Sequence, residues 1–216
     1  MAVHGRSTLR ALFDDAPTPH IAHPPATHRR HFYVATDGSY RDEGGGLGAV
    51  IETRDGTRVT RVALPHTAPD NNVAEYRALH LGLDVLAARA PRSARVGVLV
   101  DLDRLAANVN RAALADAGAD WAPGGETEVP RGSEHHWRGI RARIAGFPEL
   151  RAASIDGREN PAHPLANAPE EFAHVNRGAD RCVRPAPDHG VNGTAGVDEG
   201  APPPSRAERA GRHAGD

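Results

Sequence analysis

The stretch FYVATDGSYRDEGGGLGAVIE, residues 32–52, decides the fold. Phe32-Tyr-Val-Ala-Thr has the aromatic and β-branched enrichment of a buried strand. After a glycine-rich turn at Gly44 to Gly46, a second strand runs from Leu47 to Arg54. The first strand, predicted over 31–41, nevertheless carries Asp37. A carboxylate placed in the low dielectric of a sheet costs on the order of several kcal/mol unless something compensates it, so a cation or a hydrogen-bond network must sit nearby. The rest of the chain has to supply that partner.

Downstream, Asp55-Gly56 between two β-rich runs is a strong hairpin signal, and a third strand follows from Arg58 to Leu64. The period then changes. In NNVAEYRALHLGLDVLAARA, Val73, Tyr76, Leu79, Leu83 and Leu86 fall on one face at helical spacing, with Asn71 or Asn72 as the N-cap. RVGVLVDL (95–102) is a continuous apolar strand, DRLAANVN starts a second helix, Trp137 to Ile144 predicts a third, and LRAASID (150–156) a last strand. Three antiparallel strands, a helix, a strand, helices and a strand make a mixed α/β sheet with helices packed on its faces.

Composition narrows the function classes. The 216 residues suffice for one well-buried domain with tails. The 26 basic residues are all arginine, and against 28 acidic ones they leave a formal net charge of −2. No global basic field attracts nucleic acid, so any polyanion contact must come from local arginines, whose bidentate fork suits phosphate. A single cysteine, Cys182, excludes an intramolecular disulfide and fits a reducing cytoplasm. No secretory signal or long apolar run is legible, so a soluble, cytoplasmic protein with no membrane partner is expected. Residues 1–30 read as a His- and Pro-rich arm with a short helix near Ser7 to Phe13, 31–181 as the domain, and 182–216 as a disordered tail poor in anything to bury.

The partner for Asp37 emerges from the order of elements. Asp37 sits late in the first strand, Asp101 at the C-terminal end of the fourth, and Glu75 in the first turn or so of the long helix between them. If the two strands are neighbours, all three acids can point at one spot. Three carboxylates that close raise one another's pKa unless divalent cations neutralise them. Oxygen-only ligands on rigid elements suit Mg²⁺ or Mn²⁺. A pair of such ions about 4 Å apart can activate a water and stabilise the leaving oxygen in phosphodiester cleavage. Taken singly, each acid has an ordinary explanation as a turn, cap or first-turn residue.

Together, ATDGSY, the glycine-rich hairpin, NNVAEYRALHLGL and VGVLVDLDRLAANVN resemble type 1 ribonuclease H of the archaeal and bacterial style, over residues 31 to about 167. The resemblance implies a ribonuclease H-like α/β fold: a mixed five-stranded sheet, three antiparallel strands plus two further strands, with helices on both faces. It implies that Asp37, Glu75 and Asp101 hold two Mg²⁺ (or Mn²⁺) ions. Gly38, Ser39, Asn71 and Asn72 match positions that contact the two strands of a hybrid.

A fourth metal-site residue, usually an Asp opening the last helix, has two candidates. ENPAHPLANA (159–168) places His163 there, and NRGADRCV (176–183) would offer Asp180. His163 is preferred, because Pro161 and Pro164 are tolerable in a first helical turn whereas Asp180 lies between Gly178 and Pro185. An imidazole there could hold or release the second metal, or relay protons. Two departures stand out: Leu102 follows Asp101 where the pattern commonly has Ser, and the region 111–136 lacks a basic, Trp-bearing protrusion although it contains Trp121, Arg111 and Arg131. Hybrid affinity would then rest on Arg138, Arg141 and Arg143, or on Arg29 and Arg30, if these are more than solvated-face charges. His20, His23, His28 and His31 are too irregularly spaced to argue for zinc, and a flexible arm that touches nucleic acid or packs on the sheet is expected instead. The expected function is a monomeric endonuclease that hydrolyses the RNA strand of RNA–DNA hybrids; the alternative is a non-catalytic hybrid-binding module with the same fold.

Overall fold

A computed structural model describes residues 7–18, 29–42, 44–116 and 126–172. Five strands form one sheet: β1 (Phe32–Ser39), β2 (Gly45–Thr53), β3 (Arg58–His66), β4 (Arg95–Val100) and β5 (Glu149–Ser154), in the order β3-β2-β1-β4-β5. β3, β2 and β1 pair antiparallel, as two hairpins must, while β4 and β5 join β1 in parallel through helical crossovers. The helices are α1 (Leu9–Asp15), α2 (Asn71–Ala87), α3 (Asp103–Asp116), α4 (Glu134–Ala145) and α5 (His163–Asn167). This is the ribonuclease H-like architecture that the resemblance implies.

Alternation along β1 builds two cores at once. Phe32 and Val34 face α2, α3 and α4, where Tyr76, Leu79, Leu83, Leu105 and Ile140 are fully buried with them. Tyr33 and Ala35 face the other way, onto Leu9 and Phe13 of α1 and Leu165 of α5. The period-2 pattern of a strand covered on both faces is hidden because every residue of β1 is buried.

Several boundaries and roles differ from the sequence reading. The N-cap of α2 is Asp70, whose side chain accepts from Val73 N at 2.9 Å, rather than Asn71 or Asn72; its carboxylate reaches that amide as well as an Asn would. The fourth strand ends at Val100 and the first at Ser39. Gly45 and Gly46 belong to β2, and the turn residue is Gly44 at φ 115°. Asp55 and Gly56 do make the tight turn, with Gly56 at φ 84° and the Asp55 carboxylate accepting from Thr57 N at 3.1 Å.

Part of the segment read as an arm is integral to the core. Thr8 caps α1, Leu9 N donates to the buried Glu52 carboxylate at 2.9 Å, the Phe13 and Tyr33 rings meet edge to face, and Ser154 N donates to Pro17 O. Arg30 is not a free polyanion contact either. It is 1 % exposed, its guanidinium lies 4.8 Å from the Phe13 ring centroid, and it pairs with Glu149 at 3.2 Å. His20, His23, His28, Trp121, Asp180, Cys182 and the tail 182–216 lie outside the described residues.

Candidate active site

The register of β1 on β4 runs from Phe32 opposite Val96 to Ala35 opposite Leu99 and stops there. Continued by two residues, it would set Asp37 opposite Asp101. Both side chains then share the parity of Tyr33 and Leu99, on the α5 face. Where the ladder ends, the strands no longer consume each other's backbone groups, and a third acid enters. Glu75, in the second turn of α2, is 1 % exposed and accepts from Gly38 N through Oε1 at 3.0 Å. α2 can come this close because residue 38 is glycine: a Cβ there would lie 2.2 Å from the Ala74 carbonyl carbon.

Ligand oxygens of Asp37, Glu75 and Asp101 all lie within 4.8 Å of one another. Asp37 is 2 % exposed, and its carboxyl is pushed up to about 8 by burial first and then by the Asp101 charge and hydrogen bond. Burial likewise raises Glu75 well above the usual carboxylate range, with Asp101 and Asp37 adding to it and the Gly38 amide opposing. Glu75 Oε2 is buried with no hydrogen-bond partner. Three crowded acids and an orphaned carboxylate oxygen form an all-oxygen donor set that lacks positive charge, which is what a hard divalent cation supplies.

The opposite wall of the site is the Asn160–Asn167 segment. Asn160, 2 % exposed, donates through Nδ2 to Thr36 O at 2.8 Å and accepts from Ala162 N at 3.0 Å, locking the start of α5 to the residue before Asp37. Gly48 and Gly46 of β2 let α5 lie directly on the strand: a Cβ on Gly48 would fall 2.4 Å from Ala162 O, and one on Gly46 would fall 2.5 Å from Ala166 O. His163 therefore opens α5 with Nδ1 3.3 Å from Asp37 Oδ2, its side chain 48 % exposed. Asn167, one turn on, accepts from Ser39 Oγ at 2.9 Å and Arg41 at 3.0 Å, and its amide nitrogen lies 3.1 Å from His163 Nδ1.

Four of the residues singled out from sequence thus come together at one end of β1: Asp37, Glu75, Asp101 and His163. Gly38 and Ser39 border them, Ser39 with its hydroxyl already engaged, and Asn71 and Asn72 stand exposed at the start of α2. Leu102 packs against the core on the α2 side rather than facing the acids. Of the arginines expected to grip nucleic acid, Arg143 is held by Asp84 at 2.6 Å and Arg141 lies 3.9 Å from Asp116; Arg138 and Arg29 are exposed. Asn167 and Arg41 were not anticipated; Asn167 stands four residues after His163, the spacing at which helical side chains meet, and that is the signal that could have found it.

No protein-family model matches the chain, and no curated protein does. Among solved structures it is similar to the N-terminal RNase H domain of rv2228c from Mycobacterium tuberculosis, determined as a fusion with maltose binding protein. That match has 22% identity, covers 62% of this chain and 95% of that one, and has a TM-score of 0.44. RNase H1 from the halophilic archaeon Halobacterium salinarum NRC-1 matches at 20% identity over 65% of this chain and 98% of that one, TM-score 0.45. LC11-RNase H1 in complex with an RNA/DNA hybrid matches at 19% identity over 68% and 97%, TM-score 0.47. What the site can do chemically rests on its side chains.

Proposed function

We propose that this chain is a metal-dependent endonuclease that hydrolyses the RNA strand of RNA–DNA hybrids. One observation carries the proposal: three carboxylates with ligand oxygens within 4.8 Å of one another, Asp37 and Asp101 at the ends of two neighbouring parallel strands and Glu75 on the helix α2 packed against them. Asp37, Glu75 and Asp101 would hold Mg²⁺ or Mn²⁺, two ions in this reading. Such ions supply, when bound, positive charge for a phosphate and acidity for a water.

The chain's own residues set the rest. Asp37 in β1 and Asp101, the first residue past β4, are anchored by two neighbouring strands of one sheet, which fixes their spacing. Glu75 is held through Oε1 by the Gly38 amide, which fixes its carboxylate beside Asp37 and Asp101. His163 stands between Asp37 and solvent, placed to accept a proton from the site and hand it to bulk water. Asn167 orients that imidazole and ties it to Ser39 and Arg41, on the edge where a backbone would enter. Asn71 and Asn72 with Gly38 would read sugar hydroxyls across a shallow A-like groove, which gives selectivity for hybrid with little sequence preference.

The presence of His163 in place of a fourth carboxylate favours one rival, a hybrid-binding module without turnover. Cleavage of an end-labelled hybrid, with RNA–RNA and DNA–DNA duplexes as controls, separates the two. The nuclease reading expects cutting of the hybrid's RNA strand alone, abolished by Asp37→Asn and slowed about 10²- to 10⁴-fold by His163→Ala, the range typical of a lost proton-transfer group. Asp180→Asn should leave it unchanged. Tight binding with no cleavage in either Mg²⁺ or Mn²⁺ would establish the rival.

A further inference from the structure

A second cluster of titratable side chains, three imidazoles far in character from the acidic site, lies between α2 and α4. We infer that His80, His135 and His136 form a site for an imidazole-preferring divalent cation of the Zn²⁺ class, clamping α2 to α4. His80 sits in the middle of α2, and His135 and His136 occupy the first turn of α4. His80 Nδ1 and His136 Nδ1 face each other at 3.1 Å. Two imidazole nitrogens bound to one cation at about 2.1 Å stand about 3.0 Å apart at a right angle and about 3.4 Å apart in a tetrahedron. The observed separation falls between those limits.

The third ring stands beside the pair. Ring centroids of imidazoles sharing one tetrahedral cation are separated by about 5 Å, given that nitrogen–metal distance. Here they are 5.4 Å for His80 and His136, 5.5 Å for His135 and His136, and 6.3 Å for His80 and His135, with interplanar angles of 71–85°. His135 is exposed on the same turn and needs only to swing its ring inward.

The surroundings of His80 favour positive charge. Asp84 Oδ2 lies 3.6 Å from His80 Nε2, beyond a direct hydrogen bond but near enough to offset the charge of a cation held by that ring. Asp84 is in turn gripped by Arg143 at 2.6 Å. Gly139 completes the arrangement: a Cβ there would lie 2.0 Å from His80 Nε2, so only glycine lets the imidazole lie across α4. His136 is held below the ordinary histidine range by burial first, then by His80, Arg77, His135 and His66, which keeps it in the neutral, ligating form at neutral pH. A pair of histidines that merely bonded the two helices would need neither the third ring nor the outer carboxylate.

The test is calorimetric titration of ZnCl₂ into the full chain at pH 7.5 with Mg²⁺ in excess. It compares the unsubstituted protein with His80→Gln, His136→Gln, His135→Gln, the triple His→Gln variant and Asp37→Asn. Metal-free melting curves identify any variant whose fold is disturbed. Exposed His135 keeps the proposal testable if changes at His80 or His136 disturb packing. We expect one Zn²⁺ equivalent whose affinity falls at least tenfold in His80→Gln and His136→Gln and at least threefold in His135→Gln. It should be retained in Asp37→Asn, which separates this site from the acidic one. Co²⁺-loaded protein should show the intense visible absorption of a four-coordinate site, lost in the triple variant. The chain has 13 histidines, so equal affinity and stoichiometry in the unsubstituted protein and the triple variant would place any bound zinc elsewhere and overturn the inference. So would the absence of Zn²⁺ binding to the unsubstituted protein.

Discussion

Replacing Asp37 by asparagine should abolish cleavage and, without metal, make the protein more stable. Asp37 has a carboxyl held at about 8 against an ordinary 3.8, by burial and by Asp101. Below about pH 4 the group is protonated both folded and unfolded and costs nothing. As pH rises from there to 8 the unfolded chain loses this proton while the folded chain keeps it, so folding stability falls across that window. At about 1.4 kcal/mol per pH unit, the four units between 4 and 8 set a ceiling of about 6 kcal/mol, and coupling to Asp101 and relaxation bring the expectation to about 1–3 kcal/mol. Asparagine carries no charge and can donate from Nδ2 to the Asp101 carboxylate, reproducing the protonated form. Urea unfolding in EDTA at pH 5 and pH 8 reads this directly. Asp37→Asn should gain about 1–3 kcal/mol on the unsubstituted protein at pH 8 and much less at pH 5. Added Mg²⁺ should stabilise the unsubstituted protein and leave the variant nearly unmoved. A variant less stable than its parent in EDTA at pH 8 would refute the claim that the metal-free cluster is electrostatically strained.

Three further outcomes test the scaffold. Gly48→Ala should cost about 1–3 kcal/mol by overpacking, because its Cβ would meet Ala162 O at 2.4 Å, and should reduce cleavage more than hybrid binding by displacing His163; unfolding and single-turnover assays read the two effects. Asn160→Ala strands Thr36 O and Ala162 N and should lower urea stability by about 2–3 kcal/mol. Leu9→Ala empties a fully buried position under α1 and should cost about 2–5 kcal/mol; a loss under 0.5 kcal/mol would return this helix to the status of a dispensable arm.

How much of this was legible in the sequence depended on whether the signal was periodic or spatial. α2 could be read because Val73, Tyr76, Leu79, Leu83 and Leu86 repeat at helical spacing, and all five are fully buried. α1 was undervalued because Leu9 and Phe13, four apart behind a Thr8 cap, are a single apolar pair in a His- and Pro-rich context. What secures them is Glu52, 43 residues away, accepting from Leu9 N. Arg30 read as a surface cation because nothing local reveals Glu149, its partner across the sheet. Asn160 acts through a bond to Thr36 O, 124 residues away along the chain.

The glycines of β1 and β2 explain both what could be read and what could not. In sequence, Gly44 to Gly46 reads as a turn, since glycine is the commonest turn residue. In the fold, Gly44 turns the chain while Gly46 and Gly48 remove the side chains that would hold α5 off the sheet, and Gly38 does the same for α2 on the opposite face. Asp37 lies between these notches, so Glu75 and His163 reach it from opposite sides while strand pairing holds Asp101 beside it. The same close approach excludes water and forces the carboxyls together, which is why the cluster is costly without a cation and suited to one with it. The question posed by a carboxylate in a core strand is therefore answered by small residues as much as by charged ones: without a glycine at 38, 46 and 48, the acids could be present in the sequence and still never meet.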